Sequence, residues 1–300
     1  LTAEITGMTE LYGVMANPIK HSLSPLIYNT AFQYLHMDAV YMAFEVDEAN
    51  FDAAYQAIIP MGIKGLNISM PYKKDVMTKL LADNYKVSDV AVLASSCNTV
   101  VNQGCQLEGH NTDGLGFILS LNEHEIDIDN KVLTILGAGG AARSIIIQAA
   151  KTKVKEINIF KRMDQKFNKL VLFYQSISER FDAKINVFPY EDEEKMALII
   201  SQSDILVNAT QVGMVQQPGL PIPTCDFLHK NLVVSDLIYY PLQTELLKKA
   251  EENGCQTING IGMLIHQAAY SFNLMTNQEM PVAVVKKAVH QHLEKEENRR

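Results

Sequence analysis

Two side chains in the first half of this chain have the type and the setting to move a proton. Lys73 follows Pro71 where strand reads into helix, so its ammonium group would be held rigidly, and Asp113 lies in the polar string Asn111-Thr112-Asp113-Gly114. Oxidising a secondary alcohol by hydride removal needs a group that accepts the hydroxyl proton as the carbonyl forms, and a lysine near a carboxylate can do so. Taken singly, each has an ordinary explanation. Lys73 is a surface lysine beside the equally cationic Lys74, and Asp113 is an Asx turn or a helix cap. What joins them is that both precede a nucleotide-binding fingerprint.

That fingerprint is Thr134-Ile135-Leu136-Gly137-Ala138-Gly139-Gly140-Ala141-Ala142, a buried strand turning through a glycine loop into a helix. Gly137 permits the tight turn, Gly139 lets the backbone approach a pyrophosphate, and Ala142 keeps helix and strand close. The helix N-terminus offers amides and a positive dipole to the phosphates. Asn208-Ala209-Thr210, closing a later strand, points to the same carboxyl edge. Beyond the second strand of the motif the signals conflict. Lys161 and Arg162 could clasp a 2'-phosphate, whereas Asp164, about 20 residues past the loop, could accept hydrogen bonds from the adenosine ribose or simply start a helix.

A substrate site would be built upstream. Ser22 and Ser24 flank a helix start marked by Pro25, and two hydroxyls there can bind a carboxylate with help from the helix dipole, or Ser24 can cap the helix. His21 beside them reads as a packing residue. Gln267 falls in a helix among Met263, Leu264, Ala268 and Phe272, either as a solvated neighbour of the apolar face or as a polar finger in a cleft.

The elements that must hold these groups follow from hydrophobic periodicity. Strands are predicted over 12–15, 41–46 and 63–69, with helices after Pro25, Ala49 and Lys73, and residues 100–104 read as a hairpin limb and turn. From Lys131 the pattern is strand over 132–136, helix over 141–150, strand over 157–160 and helix over 167–177. Strands over 205–208 and 232–237 then continue an open parallel sheet to about Ile258. After Gly260 the chain is helical again, and that segment is predicted to pack back on the first domain. The Lys295 tail to Arg300 reads as a frayed, solvated end. The fold class is therefore α/β in two domains. An N-terminal α/β substrate domain (1–112), completed by C-terminal helices (261–300), joins a Rossmann dinucleotide-binding domain (113–260).

The bulk properties narrow the function. Three hundred residues, 47% hydrophobic and 20% charged, suit a two-domain globular chain. A net charge of -8 argues against nucleic acid as a partner. Cys97, Cys105, Cys225 and Cys255 form no CxxC pair and have no histidine at ligand spacing, so neither disulfides nor a metal site is expected, and a reducing cytoplasm fits. No apolar run approaches the roughly 20 residues of a membrane helix, and the start lacks a basic and apolar leader pattern, so no membrane association and no cleaved leader are expected.

Seven ordered strings carry a resemblance over nearly the whole length. They are Asn17-Pro18-Ile19-Lys20-His21-Ser22-Leu23-Ser24-Pro25, Ser69-Met70-Pro71-Tyr72-Lys73, Asn98-Thr99, Asn111-Thr112-Asp113-Gly114, the glycine loop, Asn208-Ala209-Thr210 and Gly260-Ile261-Gly262-Met263-Leu264-Ile265-His266-Gln267-Ala268. The chain resembles the shikimate dehydrogenase family, and its stretches 41–47 and 161–164 look most like the quinate/shikimate branch. The resemblance implies reduction of 3-dehydroshikimate to shikimate, with quinate as a second substrate, as a step of aromatic amino-acid biosynthesis. It also implies a nicotinamide cofactor, NAD in preference to NADP once Asp164 is weighed, and a monomer or homodimer. By the same resemblance Lys73 and Asp113 match the catalytic pair, and Ser22 and Ser24 match the carboxylate-binding serines. Asn98, Asp113 and Gln267 match ring-hydroxyl positions, with Tyr41 and Ser69 as further pocket residues. Gly137, Ala138, Gly139, Gly140, Ala141, Lys161, Arg162, Asp164, Asn208, Tyr239, Gly260 and Met263 match cofactor positions. The sequence departs from the family at Ser95-Ser96-Cys97, where Gly-Ala usually precedes Asn98, and at Met275-Thr276-Asn277, where a tryptophan is common.

Overall fold

A computed structural model describes residues 4–297. The chain forms two compact units, Leu1–Thr112 with Ile265–Arg300, and Asp113–Leu264.

The first unit opens with β1 (Glu10–Ala16), α1 (Ser24–Tyr34), β2 (Ala39–Glu45), α2 (Phe51–Ala57), β3 (Gly65–Ile68), α3 (Lys73–Ala82), β4 (Lys86–Val87), α4 (Asp89–Ala94), β5 (Thr99–Asn102) and β6 (Leu107–His110). Its sheet runs in the order β2-β1-β3-β5-β6-β4. The first three strands pair in parallel, as alternating strand and helix require. The sheet then turns antiparallel at β3-β5, where β5 enters after α3, β4 and α4, and at β5-β6, where residues 103–106 reverse the chain in a tight hairpin. One face is closed by Met15, Ile68, Val76, Leu80 and Val100, where the apolar positions of α3, one turn apart, meet the inward side chains of the strands.

The second unit contains α5 (Asp113–Glu123), β7 (Val132–Leu136), α6 (Gly140–Ala150), β8 (Glu156–Lys161), α7 (Phe167–Phe181), β9 (Ile185–Pro189), α8 (Glu193–Ser201), β10 (Ile205–Asn208), β11 (Val233–Asp236), α9 (Glu245–Glu252) and β12 (Gln256–Ile258). All its strand pairs are parallel, in the order β12-β11-β10-β7-β8-β9. Counted from β7, this is the doubly wound order of a Rossmann sheet, whose direction of winding reverses between β7 and β10. The two central strands are buried almost throughout, as a sheet covered on both faces demands. In α7 the buried residues Phe167, Leu170, Tyr174 and Ile177 repeat every three to four positions, which makes one apolar stripe.

Two helices end the chain, α10 (Ile261–Thr276) and α11 (Val282–Glu297). Within the first unit α11 packs on α1, and Phe272 of α10 joins Tyr28 and Phe32 at ring separations of 6.0 and 5.5 Å. The predicted frayed tail is thereby corrected. Lys295 to Glu297 continue α11, and 298–300 lie outside the described residues. Among the described residues no helix is long and apolar enough to cross a membrane.

Candidate functional site

In the first unit the predicted pocket residues meet along a continuous path of polar contacts. Ser22 Oγ accepts the Ser24 amide at 3.3 Å. The helix cap of α1 is Leu23, whose backbone is already helical, and no side chain caps the helix. Ser24 is therefore its first residue, which corrects the capping alternative, because a side chain inside the first turn no longer faces the amides a cap would satisfy. The Ser24 hydroxyl lies beside the phenol of Tyr41 instead. Tyr41 is buried and stacked on Tyr28 at 4.1 Å, and its hydroxyl donates to Asn67 Oδ1 at 2.7 Å. Burial pushes its pKa well up, with Tyr28 adding to the rise and the Ser24 hydroxyl working against it. Asn67 in turn donates to the Asn98 carbonyl at 3.2 Å and to Thr99 Oγ1 at 3.3 Å.

Asn98 closes the path. Its Nδ2 donates to Thr112 Oγ1 at 2.8 Å and to Gln267 Oε1 at 3.3 Å, while its Oδ1 accepts the Thr112 amide at 2.9 Å. Thr112 Oγ1 also lies 3.4 Å from Gln267 Oε1. Both donors converge on the Gln267 oxygen. Gln267, half-buried, is thereby tied into the polar path. Ser271, one turn further along α10, bridges Thr99 and Thr112 at 2.7 and 3.0 Å.

Lys73 and Ser69 border this path. Ser69 extends the β3 ladder by donating its amide to Met15, and the Asn17 amide donates to Met70, so the loop that carries the serines and the turn before α3 are tied together. Lys73 is the first residue of α3 and half-buried, whereas Lys74 is exposed. The Cys97 amide donates to the Lys73 carbonyl at 2.8 Å, one residue before Asn98. Asp113 begins α5 in the second unit and is buried.

The second unit places the glycine loop at the reversal of its sheet. Gly137 has φ +98, and a Cβ there would lie 3.0 Å from the Ala209 carbonyl, so the loops after β7 and β10 touch only because this residue is glycine. Gly139 is the cap of α6 and has no side-chain hydrogen bond, and Gly139 and Gly140 are exposed with nothing within 4 Å of where a Cβ would be. Ala138 and Ala141 flank them half-buried. Open backbone amides at a helix start with no side chain over them fit a pyrophosphate. Gly260 is buried, and a Cβ there would lie 2.2 Å from the Leu237 carbonyl, so its size answers to that approach. Tyr239 and Met263 are half-buried, and burial raises the Tyr239 pKa.

Asn208 behaves differently from a ligand contact. Its two amide hydrogens go to the Val212 carbonyl and to Asp236 Oδ1, both at 3.0 Å, and its Oδ1 accepts from the Thr210 amide and hydroxyl at 3.0 and 2.7 Å. Its hydrogen-bonding capacity is spent inside the protein. Asp236 is fully buried, and burial raises its pKa against the opposing hydrogen bonds of Ile238, Thr244 and Asn208. A carboxyl with a raised folded pKa contributes stability that is present in full below the ordinary value of 3.8 and lost as pH rises through the folded value. The melting temperature of the wild type should accordingly fall relative to that of Asp236→Asn as pH rises from below 3.8. A gap between the two that does not change with pH would contradict this.

In the loop after β8, Lys161 Nζ pairs with Asp164, and Arg162 is exposed. The Lys161 ammonium holds the Asp164 carboxyl below its usual range, and the Lys166 amide, which donates to Asp164 Oδ1 at 2.9 Å, adds to the effect. Asp164 lies two residues before the α7 cap, Lys166, which has no side-chain capping bond, and it is charged and exposed. Among the described residues no group of three or more His, Cys, Asp or Glu side chains could hold a metal ion.

The sequence reading left several parts of this arrangement without a role. Thr112 stands in the polar string before Asp113, and Asn67, a polar residue between Leu66 and Ile68 in an apolar strand, was a usable signal. Ser271, Asp236 and Thr244 left none, because their partners lie far away in sequence or are backbone atoms.

Residues 14–100 match the family model described as the shikimate dehydrogenase substrate binding domain, and residues 260–290 match that of the shikimate 5'-dehydrogenase C-terminal domain. A Listeria monocytogenes serotype 4b protein named shikimate dehydrogenase (NADP(+)) is 44% identical over 287 residues, which span 95% of this chain and 97% of that protein. The crystal structure of shikimate 5-dehydrogenase from Listeria monocytogenes in complex with shikimate and NAD aligns with a TM-score of 0.90 at 43% identity, covering 96% of this chain and 99% of that one. Quinate dehydrogenase from Corynebacterium glutamicum in complex with NAD aligns with a TM-score of 0.84 at 26% identity, covering 94% and 99%.

Proposed function

Because the chain belongs to the shikimate dehydrogenase family, we propose that it interconverts shikimate and 3-dehydroshikimate, and quinate and 3-dehydroquinate, with a nicotinamide dinucleotide. The observation that carries this reading is the polar path of the first unit. Two serine hydroxyls, neither spent on capping, stand at one end, and the Asn98 and Gln267 amides stand at the other. That arrangement suits a small ring with a carboxylate on one side and hydroxyls on the other. The first unit is the substrate side and the second the cofactor side.

In oxidation Lys73 takes the proton of the C3 hydroxyl, and in reduction it returns it. Asp113 supplies the carboxylate of that exchange, and Asn98 and Gln267 orient the ring so that C3 is presented to the cofactor. The amides of Gly139 and Gly140 would hold the pyrophosphate. A bound nicotinamide dinucleotide would supply the hydride chemistry.

NAD is the preferred form. The Listeria relative has NADP(+) in its name while the solved Listeria structure holds NAD, so the relatives point both ways. In this chain the Asp164 carboxylate stays ionised and occupies Lys161, which supports repulsion of a 2'-phosphate and a ribose diol as the better fit. NADP is used more weakly, through Arg162. The expected result is a higher kcat/KM with NAD for both shikimate and quinate. In Asp164→Ala the NAD-to-NADP ratio should drop by roughly three- to tenfold, the more so at low salt. Faster turnover of an unrelated hydroxy acid would overturn the substrate reading. A wild-type preference for NADP, or a ratio unmoved by the substitution, would overturn the role of Asp164.

A further inference from the structure

Asp236 lies at the carboxyl end of β11, beside the reversal point of the sheet, and three donors converge on it. Asn208 Nδ2 and the Ile238 amide donate to Oδ1, each at 3.0 Å, and Thr244 Oγ1 donates to Oδ2 at 2.7 Å. A buried carboxylate is costly unless its lone pairs are satisfied. Each partner controls a different piece of backbone. Asn208 grips the Thr210 amide and hydroxyl and the Val212 carbonyl, which sets the loop whose Ala209 carbonyl and Thr210 methyl lie against Gly137. The Ile238 amide fixes the segment that continues into Tyr239, and the Ile238 carbonyl accepts the Gly260 amide at 3.0 Å. Thr244 caps α9 by accepting the Leu247 amide at 3.3 Å.

We propose that Asp236 is a positioning residue for dinucleotide binding: its carboxylate sets the wall opposite the glycine loop and the segment carrying Tyr239. The inference rests on the reading of the second unit as the cofactor side. Both Asp236 oxygens are engaged by protein donors. A neutral group in its place still accepts from Asn208 and Ile238 but turns an amide donor toward Thr244, whose buried hydroxyl then loses the acceptor it has in Asp236 and must turn away, which loosens the tie between β11 and the start of α9.

The test is titration of NADH binding by fluorescence, alongside separate KM values for NAD and shikimate, in wild type, Asp236→Asn, Thr244→Val and Thr244→Ser. In Asp236→Asn the NADH Kd and the KM for NAD should rise roughly tenfold while the KM for shikimate stays within about twofold. Thr244→Val should show a smaller rise of the same kind, and Thr244→Ser, which keeps the hydroxyl, should recover wild-type binding. If Asp236→Asn fails to fold, the valine and serine pair at Thr244 decides alone. Unchanged NADH affinity in the folded variants, equal rises in both KM values, or no recovery with serine would overturn the proposal. A wild type that binds no dinucleotide would overturn the cofactor reading and this inference with it.

Discussion

Lys73→Ala is expected to lower kcat by roughly two to four orders of magnitude with a smaller change in KM, while Lys74→Ala leaves both near the wild-type values. The two lysines are adjacent and equally charged, so any effect of general positive potential would appear in both. They differ in placement. The turn before α3 is fixed by Tyr72, which stacks on Phe51 at 4.8 Å and donates its hydroxyl to the Val46 carbonyl at 2.6 Å. That anchor leaves Lys73 half-buried, with its carbonyl accepting the Cys97 amide, and Lys74 exposed. Positioned proton transfer depends on such placement, and screened surface charge does not. Steady-state kinetics on the two variants decides the matter, and comparable damage from both would mean that the segment acts only through its charge.

Ser24→Ala should act on affinity instead. Loss of one hydrogen bond to a substrate carboxylate is worth about 1 to 3 kcal/mol, so KM for shikimate should rise by roughly five- to 150-fold with kcat little changed. The α1 helix itself should not suffer, because Leu23 and not Ser24 stands at its cap and no side-chain capping bond exists to lose. Melting temperature and KM measured on the same preparation separate the two effects. A lowered melting temperature with unchanged KM would return Ser24 to a structural role.

What could be read from the sequence was whatever depended on residue type within a short window. The loop from Gly137 was legible because its tight turn and bare helix start admit few residues, and the strands around it because both faces of that sheet are buried. Lys73 could be told from Lys74 by its register with Pro71. The hairpin limb and turn at 100–104 were legible and pair antiparallel with β6, but such a pattern does not say which strand lies on the limb's other side, and the antiparallel pairing of β5 with β3 went unforeseen. Ser24 shows the limit of motif logic at a helix end. Serine before proline is a common cap, yet the loop held by Ser22 and Ile19 brings the helix in one residue earlier. The contacts that orient the site, from Asn98 to Gln267 and from Asn208 to Asp236, join positions 169 and 28 residues apart. No local pattern marks such pairs, because what selects them is the need of a buried polar atom for a partner.

The most direct measurement follows the hydrogen itself. Shikimate carrying deuterium at C3 is incubated with oxidised cofactor and the protein, and the reduced nicotinamide is isolated and analysed by mass spectrometry and proton NMR. Direct transfer predicts that the label appears at C4 of the nicotinamide, with none lost to water, and that the transfer slows in step with kcat in Lys73→Ala. Label released to solvent, or shikimate recovered unchanged with either cofactor, would contradict the assignment of this chain as a dehydrogenase acting at C3.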